Sequence, residues 1–230
     1  MERKRVIIII PAYNEEKTIG EVIERSLPFG DVCVVDDASK DRTAEIARSY
    51  PNVVCISHET NTHIPQAILD GMQYALDQGY DYVITMDAGL SHLPEDIPQF
   101  LSAEHCDLVL SARKITTNVP LYRKLLSRTA TFLINLSLRP IGSNLPYAWF
   151  HDITSGFRRY SKRAVELLLC SRSKARTFDF HQEALMVVYR NGLSVTEVPI
   201  SFAFSNSSLN WKVLMDSIKM FLDILLTRRK

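Results

Sequence analysis

The chain has 230 residues, 46% hydrophobic and 23% charged, with 27 Lys and Arg against 26 Asp and Glu. That length suits one large domain with a well-buried core and is cramped for two. The composition is that of an ordinary soluble globular protein, and a net charge of +1 provides no field to draw in nucleic acid.

In chain order, Val6 to Ile10 is a β-branched run ended by Pro11, and Glu16 to Ser26 has helical spacing through Ile19, Val22 and Ile23. Val32 to Val35 reads as a second buried strand ended by Asp36-Asp37, Thr43 to Ser49 as a short helix, and Val53 to Ile56 as a third strand. Pro65 stands near a helix start, and Ile68, Leu69, Met72 and Leu76 form the apolar stripe of that helix. Tyr82 to Met86 is a fourth strand ended by Asp87, a short helix follows near Pro94 to Leu101, and Leu108 to Leu110 is a fifth strand. Leu121 to Leu138 reads as an amphipathic helix carrying Arg123, Lys124 and Arg128, and Ile141 to Trp149 as an irregular loop. Asp152 to Arg158 is a polar turn leading into a short strand. Helices are expected near Lys162 to Cys170 and Asp179 to Asn191, a strand over Val195 to Ile200, and a last amphipathic helix over Leu209 to Leu226.

Short unbroken apolar strands alternating with helices imply an α/β fold with a mostly parallel sheet covered on both faces. Such sheets bind ligands beyond the carboxyl ends of their strands. Two of those ends carry Asp36-Asp37 and Asp87; each also serves as a helix cap in the plainer reading. No G-x-G-x-x-G or G-x-x-x-x-G-K-[ST] occurs, which argues against a dinucleotide-dependent dehydrogenase or a P-loop nucleotidase. The first turn, Pro11 to Glu16, offers instead an aromatic ring for stacking and carboxylates for ribose hydroxyls or base edges.

Cys33, Cys55, Cys106 and Cys170 are widely spaced with no C-x-x-C pair, so they read as small core residues in a reducing compartment. The basic start runs into only about five apolar residues, and no later stretch reaches the roughly 20 that a spanning helix needs. A cytoplasmic location is expected, with peripheral attachment to the inner face of a membrane left open.

The blocks IIPAYNEEKTIGEVI, VVDDASKDRTAEIA, VITMDAGLSHLPEDI, DITSGFRRYS, FDFHQEAL and VTEVPISF occur in this order over roughly residues 5 to 204. Together they resemble the family-2 glycosyltransferases of GT-A fold, and among them the polyprenyl- and dolichyl-phosphate sugar transferases. The resemblance implies a Rossmann-like domain over residues 1–204, followed by an amphipathic helix over 205–230 packed on the domain or on a membrane surface. It implies a nucleotide-sugar donor held by Pro11, Ala12, Tyr13, Glu15, Asp36 and Asp37, with Asp87 and Ala88 continuing that site. Asp87 would bind a Mg²⁺ or Mn²⁺ ion on the donor diphosphate and so act in catalysis. Thr154 and Ser155, with Arg123 or Arg128, would meet an acceptor phosphate.

The chain departs from that pattern in four places, one of them Ser91, which stands where the dolichyl-phosphate enzymes tend to have a glutamine. The family's D-x-D reads Asp87-Ala88-Gly89, the stretch Asn61 to Ala67 has no glycine, and Ser205 to Lys212 lacks the expected Arg…Ser-Lys. Three readings therefore stand: inverting transfer to a polyprenyl phosphate, transfer to a hydroxyl acceptor with Asp152 as general base, or nucleotide-sugar binding without catalysis. Asp152 also fits a turn aspartate that holds the Ser155 loop. His92 and His151 are incidental loop histidines in the plainer reading, and the Leu121 to Leu138 helix packs either on the sheet or on a bilayer.

Overall fold

The computed structural model describes residues 4–103, 105–117, 127–129, 131–132, 134–136, 138, 149–171 and 180–203. The elements are β1 (Val6–Ala12), α1 (Ile19–Ser26), β2 (Asp31–Asp36), α2 (Thr43–Arg48), β3 (Val53–Ser57), α3 (His63–Asp77) and β4 (Tyr82–Thr85). A 3-10 turn (Pro94–Asp96) runs into α4 (Ile97–Leu101), followed by β5 (Leu108–Thr117), β6 (Arg158–Ser161), α5 (Lys162–Cys170), α6 (Phe180–Arg190) and β7 (Val195–Ala203). The seven described strands form one sheet in the order β3-β2-β1-β4-β6-β5-β7. β6 is antiparallel to both neighbours and every other pair is parallel, as the alternating pattern predicts.

Successive side chains of a strand point to opposite faces. Ile7 and Ile9 therefore join one buried cluster with Met72 of α3, Val165 of α5 and Leu185 of α6. Ile8 and Ile10 join a second cluster with Val22 of α1 and Phe100 of α4. A continuous apolar run is what a strand buried on both faces requires.

Two boundaries differ from the sequence reading. β1 continues through Pro11 to Ala12, pairing Pro11 with Val35. The odd residues of β1 face β4, as the Met86 N–H to Ile9 carbonyl bond shows, and pairing with β4 ends at Ile9. The N–H that proline lacks therefore leaves no ladder bond unmade. β5 extends to Thr117 because it pairs in parallel with β7 as far as Ala203, with an irregularity between Arg113 and Ile115.

All four cysteines are free. Cys33 is buried, and burial pushes its thiol up to about 12, whereas Cys170 at the end of α5 is exposed and is not a core residue. Residues 127–129, 131–132 and 134–136 are helical, in keeping with a helix there. Arg123, the loop at 141–148 and the C-terminal segment from residue 204 onward lie outside the described residues. Among the described residues no helix is long and apolar enough to cross a membrane.

Candidate active site

β2, β1 and β4 are neighbours in the sheet, so their carboxyl ends open onto one crevice. Four non-glycine residues there adopt the left-handed conformation: Asn14 after β1, Ala38 after β2, His63 at the start of α3 and Leu90 after β4. Such backbone is costly and concentrates at sites that must aim side chains and N–H groups. The first two turns are stitched together: Asn14 N–H donates to Ser39 Oγ at 2.9 Å, Lys40 N–H to Asn14 Oδ1 at 2.8 Å, and Glu15 N–H to Thr43 Oγ1 at 2.8 Å. This leaves Tyr13 45% exposed over the crevice, with Ala12 and Ala88 buried at its floor.

The paired aspartates take different roles. Asp37 Oδ1 accepts from Thr62 N–H at 2.7 Å and Thr62 Oγ1 at 2.9 Å and faces His58 Nδ1 at 2.8 Å, while Oδ2 accepts from His63 N–H at 2.8 Å. Asp37 thus anchors the start of α3. Asp36 is also buried, yet its Oδ1 has no partner. Glu15 lies close enough to Asp87 for the two charges to interact across the crevice. Burial raises the Glu15 carboxyl, a hydrogen bond from Thr18 opposes this, and Asp87 adds to the rise.

Asp87 is half exposed, and its Oδ2 lies 3.3 Å from Nδ1 of the buried His92. The other ring nitrogen of His92 lies 3.3 Å from Ser155 Oγ. Ser155 Oγ also accepts from Ser111 Oγ at 2.6 Å and from Phe157 N–H at 3.3 Å. The predicted acceptor residue Ser155 is therefore a buried hub joined through His92 to Asp87. Beyond Ser155, the absence of a side chain at Gly156 lets the His181 ring close in beside Asp87. A Cβ there would stand 2.8 Å from His181 Nε2 and 3.6 Å from Asp87 Oδ1.

On the far side of Ser155, Arg113 reaches from β5 to Asp152, donating through Nε to Oδ2 and through Nη2 to Oδ1, the latter at 2.8 Å. The same Nη2 contacts Thr154 Oγ1 and, at 3.2 Å, Ser127 Oγ. The guanidinium lies over the Phe202 ring, 5.0 Å from its centroid. Glu197 on β7 accepts from the backbone N–H of His151 at 2.8 Å and of Asp152 at 3.0 Å, which fixes the turn. His151 Nδ1 also meets Glu197 Oε2 at 2.7 Å. Arg128 is exposed one residue beyond Ser127.

Asp87, Asp152, Thr154 and Ser155 thus converge, whereas Asp37 is turned toward α3. Arg113, Glu197, His181 and Arg158 were not singled out in the sequence, although the last three fall within quoted blocks. Arg113 lay past the predicted end of its strand.

A divalent cation on a donor diphosphate fits these residues in one way. Among the described residues no three His, Cys, Asp or Glu side chains converge into a cage. Asp87 supplies one carboxylate, half exposed beside Gly156. Such a site suits an ion held by one or two carboxylates together with substrate phosphates and water.

The charges also set the acid response. For Asp37, burial raises the carboxyl but bonds from His58, Thr62 and His63 outweigh it; for Asp152, burial is outweighed by Arg113 and then Thr154. A depressed carboxylate contributes stability that is present above its unfolded pKa of about 4 and is lost as pH falls through the folded value. Burial lowers His92 and His181, so their contribution is full above about 6.5 and drains away below it. Glu15, being raised, works in the opposite sense. The melting temperature is expected to fall in two stages, beginning below pH ~6.5 and steepening below ~4. Melting curves from pH 3 to 8 check this, and an unchanged value between pH 7 and 5 would refute the histidine stage.

Residues 7–169 match the profile of Glycosyl transferase family 2. The chain is 32% identical over 210 residues to the undecaprenyl-phosphate mannosyltransferase of Micrococcus luteus, spanning 86% of this chain and 83% of that protein. It is 30% identical over 234 residues to the UDP-N-acetylglucosamine–dolichyl-phosphate N-acetylglucosaminyltransferase of Methanococcus voltae, spanning 91% of this chain and 90% of that one. Among solved structures, it is similar to glucosyl-3-phosphoglycerate synthase from Mycobacterium tuberculosis in complex with Mn²⁺, uridine diphosphate and glucosyl-3-phosphoglycerate. The TM-score is 0.72 at 19% identity, covering 98% of this chain and 80% of that one.

Proposed function

The chain belongs to glycosyl transferase family 2 and is a glycosyltransferase, and we propose that it moves a sugar from a nucleotide-sugar donor to a polyprenyl phosphate with inversion. What carries this reading is the junction at Thr154, Ser155 and Gly156. A donor-side carboxylate, Asp87, and a cationic group, Arg113, meet there from opposite sides.

Tyr13 and Glu15, with Pro11, Ala12 and Asp36, whose Oδ1 has no partner, form the nucleoside side, and Asp37 holds the α3 turn that borders it. Asp87 is the protein's ligand to a Mg²⁺ or Mn²⁺ ion, which when bound disperses the charge that develops on the departing diphosphate. The acceptor phosphate oxygen attacks the anomeric carbon as the bond to the nucleoside diphosphate breaks. A phosphate oxygen is already anionic, so it needs orientation more than a base. Arg113 supplies a guanidinium for that purpose, Asp152 aims it, and exposed Arg128 extends the positive side. Both Asp152 oxygens are engaged by Arg113 and Thr154, which disfavours Asp152 as a base.

The test is transfer from radiolabelled nucleotide-sugars to polyprenyl phosphate in vesicles, with soluble hydroxyl acceptors in parallel. Incorporation into lipid alone supports the reading, and incorporation into the hydroxyl acceptors alone overturns it. With Gly89 in place of a carboxylate, Mn²⁺ is expected to bind weakly until a nucleoside diphosphate is present. A micromolar site in the nucleotide-free protein, about −8 kcal/mol by calorimetry, would contradict the single-ligand arrangement.

The lipid chain needs an apolar approach. Phe132, Leu136 and Trp149 are exposed, and the Phe132 and Trp149 rings lie 6.0 Å apart. We assign them, with the predicted Leu209 to Leu226 helix, to peripheral contact with an anionic bilayer on its cytoplasmic side. Replacing both Phe132 and Leu136 with serine is expected to cut vesicle co-sedimentation several-fold while leaving the melting temperature in place.

A further inference from the structure

His181 is the second residue of α6 and is 3% exposed, with its ring wedged against Gly156. Its Nδ1 is buried with no hydrogen-bond partner. Its Nε2 also makes no hydrogen bond to a described residue, and it lies against Gly156 on the side of Asp87, where an added Cβ would stand 2.8 Å from Nε2 and 3.6 Å from Asp87 Oδ1. A buried N–H without an acceptor is rarer in folded proteins than an acceptor left short of donors. The ring proton therefore belongs on Nε2, and Nδ1 keeps a bare lone pair. The imidazole is then a one-way device that holds an N–H donor at the mouth of the donor site.

Its backbone is fixed independently, because Arg158 donates to the His181 carbonyl from inside the core. The ring packs edge-on against Phe180, with centroids 5.9 Å apart. A donor held this rigidly and left unused by the protein itself is matched to an anion that arrives with a ligand. We infer that His181 Nε2–H hydrogen-bonds a phosphate oxygen of the nucleotide-sugar's diphosphate and stabilises it as the leaving group. The inference rests on the donor-site reading above. It also gives a reason for tolerance of Gly89, since one fixed N–H takes over part of the charge dispersal that a second metal-binding carboxylate secures elsewhere in the family. Nothing is transferred covalently to the ring: the anomeric carbon–oxygen bond breaks, its electron pair stays on the diphosphate, and the Nε2 proton remains in place.

Two measurements test this on the full chain. Long-range ¹⁵N–¹H correlation of ¹⁵N-histidine-labelled protein reports the tautomer. A protonated Nε2 that shifts on addition of UDP or GDP with Mg²⁺ is expected, and a protonated Nδ1 overturns the inference. Binding is then compared for His181→Leu, which removes the donor, and His181→Gln, which returns an amide N–H to a similar place. His181→Leu is expected to weaken nucleoside diphosphate binding by about tenfold or more, as for other hydrogen bonds to charged groups. It should leave binding of the bare nucleoside unchanged, and His181→Gln should recover most of the loss. Equal weakening for nucleoside and diphosphate would mark His181 as merely structural, and parent-like binding by His181→Leu would also overturn its role. If neither diphosphate binds the parent protein, the donor-site reading itself fails. If they bind and only the His181 comparisons fail, the donor site stands and this role does not.

Discussion

Replacing Arg158 with methionine is expected to lower stability by about 4 kcal/mol, within the range found when a buried, fully engaged charge is removed from its partners. Arg158 is completely buried. It donates to the carbonyls of Ser155 at 3.0 Å and Ile153 at 2.7 Å, and to that of His181. A hydrogen bond from a charged group contributes roughly 1.5–3 kcal/mol, and each carbonyl left bare in the core adds a penalty. Adjacent Arg159 is equally buried but faces the other side of β6, where it donates to the carbonyls of Ala103 and Cys106 and lies over Tyr82. Its replacement by methionine is expected to lower stability by about 2 kcal/mol. For a chain of this length, 4 kcal/mol corresponds to a melting temperature lower by about 10 °C. Because two of the Arg158 acceptors belong to the turn at the active site, the same variant should also lose transfer activity, whereas Arg159→Met should retain it. Equal stability of the two variants would refute this division of labour.

The Arg158–Arg159 pair shows where sequence reading reaches its limit. Consecutive arginines after Thr-Ser-Gly read as a polar turn entering a strand, and the strand is there. Nothing in the residue types says that both guanidinium groups are buried, since that depends on how the preceding turn folds back and on carbonyls brought in from His181, Ala103 and Cys106. β1, β2 and β4 were legible for the opposite reason. A sheet buried on both faces demands unbroken β-branched runs, and Pro11, Asp36-Asp37 and Asp87 mark where those runs meet the crevice. β5 was cut short because Ser111, Arg113 and Lys114 interrupt its apolar run. Its continuation is held by backbone pairing with β7, a long-range partner that local pattern does not reveal.

The candidate site divides along the same line. Tyr13, Glu15 and Asp87 were visible because strand ends define the crevice before any tertiary contact is known. Asp37 was visible as well, yet its carboxylate is occupied in tethering the start of α3, and not in capping the next helix, α2, as the plainer reading of a strand-end aspartate has it. Arg113 was hidden because its role arises only when β5 is brought beside the Asp152 turn. His92 read as an incidental loop histidine. Its position between Asp87 and Ser155 follows from the turn at left-handed Leu90, a conformation that a leucine does not advertise.

The sharpest separation of a phosphate acceptor from a hydroxyl acceptor comes from Asp152 and Arg113. If Asp152 removed a proton from a hydroxyl, Asp152→Asn would lower turnover by roughly 10²–10⁴, the usual contribution of a general base. In the reading favoured here the asparagine carbonyl still accepts from Arg113, so the loss should stay near tenfold and appear mainly in KM for the acceptor. Arg113→Ala is expected to be far worse. It strips the acceptor phosphate of its guanidinium and leaves the buried Asp152 carboxylate without its cation, so kcat/KM should fall by at least about 10³, or roughly 4 kcal/mol of transition-state stabilisation. Arg113→Lys keeps the charge but not the fork that engages both Asp152 oxygens, and should fall between the two. Donor binding, followed by the nucleoside diphosphate thermal shift, should survive Asp152→Asn, because that side chain lies on the Thr154 side of the junction and Asp87 on the Gly156 side. A thousandfold loss in Asp152→Asn, with acceptor KM unchanged, would instead make Asp152 the base and remove the lipid phosphate as acceptor.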